Sequence, residues 1–197
     1  MNRQLVQDKL IRFRRNGCWQ DEYAFVHDAK FEPVLAAVLI PIVVGSKGPT
    51  ILLTQRTEHL EKHAGQISFP GGKVADSDVD REDTALRETY EEVGLSLDRS
   101  IVLGSLPEYD IRTGFRVTPI VGWIDGPVSF QIDVREVAST IQVPLEFVLN
   151  LDNYQLDFKD DGGNPRYFYR LPYLGHNIWG ATAGMLRIFA TAVSDQG

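Results

Sequence analysis

Three glutamates and an arginine fall within eight residues in RETYEEVG, Arg87 to Gly94. At about 100° per residue, a helix would gather Glu88, Glu91 and Glu92 within about 100° of arc, as one exposed ridge of carboxylates. Leu86, Tyr90 and Val93 would fall on the opposite face and pack on a core. Arg87 is the only cation between Thr84 and Leu97, so the negative charge is largely uncompensated. Like charges three and four positions apart destabilise a helix, a cost that a bound cation would reverse. One reading is a solvated face on which Arg87 pairs with Glu91. The other is a seat for a hard divalent cation such as Mg²⁺, which takes oxygen ligands and shares them with substrate phosphates. The missing counter-charge favours the cation, though the helix alone favours it only modestly.

Several elements must hold this ridge in place. Asp80 with Asp83 three residues on resembles an N-terminal cap, and Gly94 followed by Leu95 fits a glycine stop. Just upstream, FPGGK puts Gly71 and Gly72 where the backbone can turn and a ligand can come close. The apolar, β-branched run Val34–Val44 reads as a buried central strand, and TILLTQR after a GSKGP turn as its hairpin partner. IVLGSL and FRVTPIVGWI read as two further strands, and YQLDFKDDGGNPRYFYR as two alternating runs around a turn. IWGATAGMLRIFATAV closes the chain as a mostly apolar helix. Leu5, Leu10, Ile11 and Phe13 recur at near-helical spacing until Asn16-Gly17. The expectation is an α+β fold, a mixed sheet sandwiched between helices, with residues 1–30 as an N-terminal helical extension packed on a domain of residues 31–197.

Composition limits the partners. The chain of 197 residues is 43% hydrophobic, a soluble globular balance, and its formal charge is −7. It has no global electrostatic reason to bind nucleic acid or an anionic membrane. A phosphate ligand would therefore need local arginines or a metal. The lone cysteine, Cys18, cannot form an internal disulfide, the N-terminus lacks the apolar run of a signal peptide, and the longest apolar run carries a proline and is too short to span a bilayer. The cytoplasm is the expected compartment. His59, His63 and His176 show no metal-ligand spacing.

Together, the glycines and the acidic helix resemble the signature of the Nudix hydrolases: G, five residues, E, seven residues, then R-E-apolar-x-E-E-x-G-apolar. Arg87 to Leu95 match its closing half, with Thr89 where an aliphatic residue is usual. The opening half departs twice: the family's glycine would fall on Lys73, so the loop holds one extra residue, and Asp78 replaces the early glutamate. Both departures resemble the coenzyme A diphosphatase branch. That branch also carries an upstream motif, matched in LLTQRTEHLEKHAGQISFPGG by Leu52, Leu53, Thr54, Arg56, Gly65, Phe69, Pro70, Gly71 and Gly72. Thr57 is a mild change from it, and Glu61 reverses the charge of an arginine.

The resemblance implies a Nudix fold and hydrolysis of a small-molecule, CoA-type nucleotide diphosphate with Mg²⁺ or Mn²⁺. It makes Glu88 and Glu92 the principal metal ligands, Glu91 a further one, and the Gly71 carbonyl an additional ligand. Arg87 would orient the glutamates by ion pairing. Arg56, Lys62 and the Gly71-Gly72 backbone would meet the substrate, with Arg112 and Arg116 as weaker cations. For the general base, Glu88 and Glu136 stand as candidates, with Asp110 behind them. Alternatives are a Nudix enzyme for ADP-ribose, a dinucleoside polyphosphate or a nucleoside triphosphate, and a non-catalytic sensing domain. A homodimer is admitted among the partners.

Overall fold

The computed structural model describes residues 1–16, 23, 25–28, 30–58, 65–98 and 101–194. Cys18, His59, Glu61, Lys62 and His63 lie outside these residues. The helices are α1 (Arg3–Asn16), α2 (Arg81–Val93), α3 (Leu145–Leu149) and α4 (Ala181–Val193). The strands of the larger sheet are β1 (Val34–Gly45), β2 (Gly48–Arg56), β3 (Ile67–Ser68), β4 (Gly71–Lys73), β5 (Val102–Ser105), β6 (Tyr109–Ile111), β7 (Phe115–Ile124) and β8 (Val137–Pro144). A smaller sheet holds β9 (Gln155–Asp161), β10 (Asn164–Tyr173) and β11 (His176–Trp179).

The larger sheet is mixed. β1 runs parallel to β7 from Val34↔Phe115 to Val43↔Ile124 and antiparallel to β2, joined by a two-residue turn that closes at Gly45↔Gly48. A strand paired in parallel at the sheet centre is covered on both faces, which is why β1 is apolar nearly throughout. On one face, Ala85 of α2 meets Ala37, Leu39 and Ile120. On the other, Leu186 and Phe189 of α4 join Ile40, Ile42, Ile51 and Val121 in the main core. The result is the expected α+β sandwich of helices around a mixed sheet.

Val6 and Leu10 of α1 belong to that same main core, and Lys9 Nζ donates to the Val193 carbonyl at 2.9 Å. We propose residue 30 as the boundary between this N-terminal arm and the domain of residues 31–197.

Two features differ from expectation. The C-terminal run is not all helix: His176–Trp179 pairs with β10 as β11, and Gly180, at φ 64, turns the chain into α4. The β9–β10 hairpin therefore belongs to a separate three-stranded sheet.

Candidate active site

Helix α2 has the expected ends. Asp80 Oδ1 accepts from the Asp83 N–H at 3.0 Å, and Gly94, at φ 71, donates its N–H to Tyr90 O at 2.9 Å. Its orientation is not the expected one. Ala85, Thr89 and Val93 are buried against the sheet, whereas Tyr90 is 58% exposed. The buried arc is thus centred on Thr89, roughly 60° from the expected one. The Thr89 hydroxyl is satisfied there by donating to Ala85 O at 2.7 Å. The rotation takes Glu92 off the exposed ridge and into the interior, where it is 5% exposed.

Arg87 organises the other carboxylates. Its Nε and Nη2 donate to Asp78 at 2.8 and 2.9 Å, and its Nη1 reaches Glu88 at 2.9 Å and Glu91 at 3.2 Å. Asp78 also accepts from the Ala75 N–H and the Thr84 hydroxyl, both at 2.8 Å. These bonds, that of Arg87 above all, hold the Asp78 carboxyl far below the usual carboxylate range. Asp78 is thus seated under the Arg87 guanidinium.

The glycines have separate reasons. Around Gly71, the β1–β4 bonds Leu39 N–H to Pro70 O and Val74 N–H to Leu35 O make Val38↔Gly71 a non-hydrogen-bonded pair. The N–H and carbonyl of Gly71 therefore face away from β1, and the N–H meets Glu92. A Cβ on Gly71 would lie 2.5 Å from Ala37 O and 2.6 Å from Val38 Cα. A Cβ on Gly72 would instead strike the Glu88 carboxylate.

Four carboxylates influence one another here. Burial pushes Glu92 up to about 8, with Glu88 and Glu136 adding to it and Arg56 opposing. Burial also raises Glu88, which Arg87 counteracts and Glu91 and Glu136 reinforce. Glu136 is therefore brought near the helix by the chain that wraps its end. In that wrap the Gln131 N–H donates to Val93 O, the Asp133 N–H to Glu92 O, and the Thr57 N–H to Glu136 O.

The donor set suits a hard cation. Glu92 Oε2 is buried with no hydrogen-bond partner among the described residues. Among the described residues no three acidic, imidazole or thiol side chains converge closely enough to hold a metal as they stand. Arg87 holds Glu88 and Glu91 through its Nη1, and carboxylate oxygens are the ligands that a hard cation takes.

A cleft of about 680 Å³ opens beside this corner, with Arg56, Ser68 and Gly71 in its lining. The Arg56 Nε is buried and bonded to no described residue. Asp110 and Arg116 pair with each other at 2.7 and 3.0 Å, which occupies both. Arg112 lies over the Phe25 ring at 4.6 Å and lines the cleft. Sequence reasoning missed the aromatic wall, to which Tyr23, Tyr109, Tyr167 and Tyr169 contribute. The run YFYR was its signal, read only as an alternating strand.

A mixed sheet between helices, an acidic helix and a glycine pair beside a cleft are the frame of a phosphoanhydride hydrolase. The chain belongs to the Nudix family: the NUDIX domain matches residues 33–161. Over 160 residues it is 44% identical to a Yersinia enterocolitica protein named Uncharacterized Nudix hydrolase NudL, covering 81% of each chain. A protein of the same name from Yersinia pestis is 43% identical over 160 residues, covering 81% of this chain and 79% of that one. The crystal structure of MutT protein from Methanosarcina mazei Go1 overlaps 63% of this chain and 86% of its own, at 23% identity and a TM-score of 0.49. The protein is thus a hydrolase acting on phosphorus-containing anhydrides, and Nudix hydrolases use divalent metal ions. Among the described residues no helix is long and apolar enough to cross a membrane.

Proposed function

We propose that this chain is a coenzyme A diphosphatase, hydrolysing CoA or its acylated or oxidised forms to 4′-phosphopantetheine, or its acyl form, and adenosine 3′,5′-bisphosphate. Arg56 carries this reading. It belongs to the upstream motif that sets the CoA branch apart, and it stands on the cleft wall with an unpartnered Nε while its charge acts on Glu92. A guanidinium whose buried Nε has no partner among the described residues, acting on a buried carboxylate, is suited to hold a diphosphate.

In this mechanism Glu88 and Glu92 are the principal ligands of Mg²⁺ or Mn²⁺, with Glu91 and the Gly71 carbonyl as further ones. When bound, the cation neutralises the diphosphate and acidifies a water. Arg87, fixed by Asp78, orients Glu88 and Glu91. Arg56 and the Gly71-Gly72 backbone hold phosphate oxygens, with Lys62, outside the described residues, as a further cation. Glu88 and Glu136 are the candidate general bases, Glu136 standing at the end of the turn whose Asp133 N–H is bonded to Glu92 O. The lone Cys18 supports a reducing cytoplasm as the compartment.

A product-resolved assay tests the reading. With Mg²⁺ or Mn²⁺ the purified protein should convert CoA to the two named products. Intact CoA beside hydrolysed ADP-ribose or dinucleoside polyphosphate would overturn it.

A further inference from the structure

The cleft wall formed by β10 is a strand edge as well as a row of rings. Gly180 donates its N–H to Tyr169 O, so the backbone groups of Tyr169 point away from β9. A strand repeats every two residues, so Tyr167 and Pro165 present theirs on that same side. Arg166, Phe168 and Arg170, between them, are bonded to Lys159, Asp157 and Gln155 of β9. Pro165, with no N–H to offer, sits where a proline is tolerated, facing away from the ladder. β11 takes up only Arg170–Tyr173, so among the described residues Tyr167 has no strand neighbour on the side away from β9. Its N–H and carbonyl bond to no described residue, and it lines the cleft with Pro165 and Tyr169.

A free edge is a template for an extended chain that carries amides. Here the edge has an apolar flank, because the Tyr23 ring packs 5.2 Å from that of Tyr167 and 6.2 Å from that of Tyr169. Arg56 lines the same cleft from β2 of the larger sheet, so a ligand held there by its diphosphate can extend to this edge. The pantetheine half of CoA has the matching chemistry. Its β-alanine unit carries an N–H and a carbonyl on either side of two methylenes, like an amino-acid residue lengthened by one carbon.

Resting on the CoA reading for the ligand's identity, we propose that the pantetheine arm of the substrate adds to the free edge of β10 as a short strand would. The β-alanine N–H donates to Tyr167 O, and the β-alanine carbonyl accepts from the Tyr167 N–H. Tyr23 and Tyr167 cover the arm from one face. The edge then selects a diphosphate that carries pantetheine over one that carries a sugar, since the terminal ribose of ADP-ribose has no amide to pair with it.

Two calorimetric measurements on the full chain test this, and neither needs turnover. The first compares Tyr167→Pro with Tyr167→Ala. The proline removes an N–H that faces away from β9, so the ladder loses no bond, whereas the alanine keeps the N–H and removes the ring. 4′-Phosphopantetheine should bind Tyr167→Pro about fivefold to tenfold more weakly than Tyr167→Ala, the size of one hydrogen bond. Adenosine 3′,5′-bisphosphate should bind the two variants alike. The second uses the wild type and stands even where Tyr167→Pro does not fold. 4′-Phosphopantetheine should bind more tightly, by the same factor, than its analogue with an ester oxygen in place of the β-alanine N–H. The assignment requires each effect, and the absence of either in folded protein overturns it. Weakening of the bisphosphate by the proline would give the edge to the nucleoside instead, and would also overturn it. If CoA is cleaved while these effects are absent, the edge assignment alone falls. If they are present and CoA is not cleaved, the edge assignment stands and the diphosphatase reading falls.

Discussion

Glu92 is a carboxylate placed in the interior with one oxygen unpartnered among the described residues, an arrangement that favours a neutral acid or a bound cation over a bare anion. Divalent cation should therefore raise the melting temperature of the wild type, by about 2.7 kcal/mol of stabilisation at a hundred times the dissociation constant. Glu92→Gln should abolish that rise in a thermal-shift titration and lower kcat by at least about a hundredfold. Asp78 makes a different prediction. Its pKa is depressed in the folded state, so its contribution to stability is complete above the ordinary carboxylate range and is lost as pH falls through and below it. Asp78→Asn should cost on the order of 3 kcal/mol at neutral pH. The melting temperatures of the two proteins should draw together as the pH falls below the ordinary carboxylate range and meet only below the depressed native value of Asp78. The sequence indicated that these residues carry charge but not how deeply. An arc of carboxylates was legible from spacing, whereas the burial of Glu92 goes with small Ala85 packing on Ala37 and with the burial of Thr89, while Tyr90 faces outward.

At the scale of elements, the two adjacent glycines should behave unlike each other. In Gly71→Ala the new methyl meets β1 backbone, which cannot step aside, and unfolding in urea should show a loss of roughly 2–3 kcal/mol. In Gly72→Ala it meets the flexible end of Glu88, so stability should change by less than about 1 kcal/mol, while kcat falls with the displaced carboxylate. The long elements were legible: both hairpins, the central strand and the acidic helix with its caps each had a period and punctuation. The short strands β3, β4 and β6 were not, because two or three residues show no period. β11 was concealed within an apolar run, and the glycine that ends it, Gly180, was taken as part of a helix.

For the whole molecule, the N-terminal arm supports the core as well as covering it. Leu10 is 1% exposed in the main cluster, so Leu10→Ala should cost about 2–5 kcal/mol in chemical denaturation. A change below about 1 kcal/mol would mean that the arm is not part of the cooperative unit. The turn from Gln131 to Glu136 links more distant parts. It is bonded to the carboxyl end of α2 through Val93 and Glu92, and to the end of β2 through Thr57, the neighbour of Arg56. The spacing between the buried carboxylate and the guanidinium is thus set by a tie outside the acidic helix and the glycine loop. Under the proposed assignment of Glu92 to the cation and Arg56 to the diphosphate, a longer or shorter tie would change the distance between the two while leaving both residues in place.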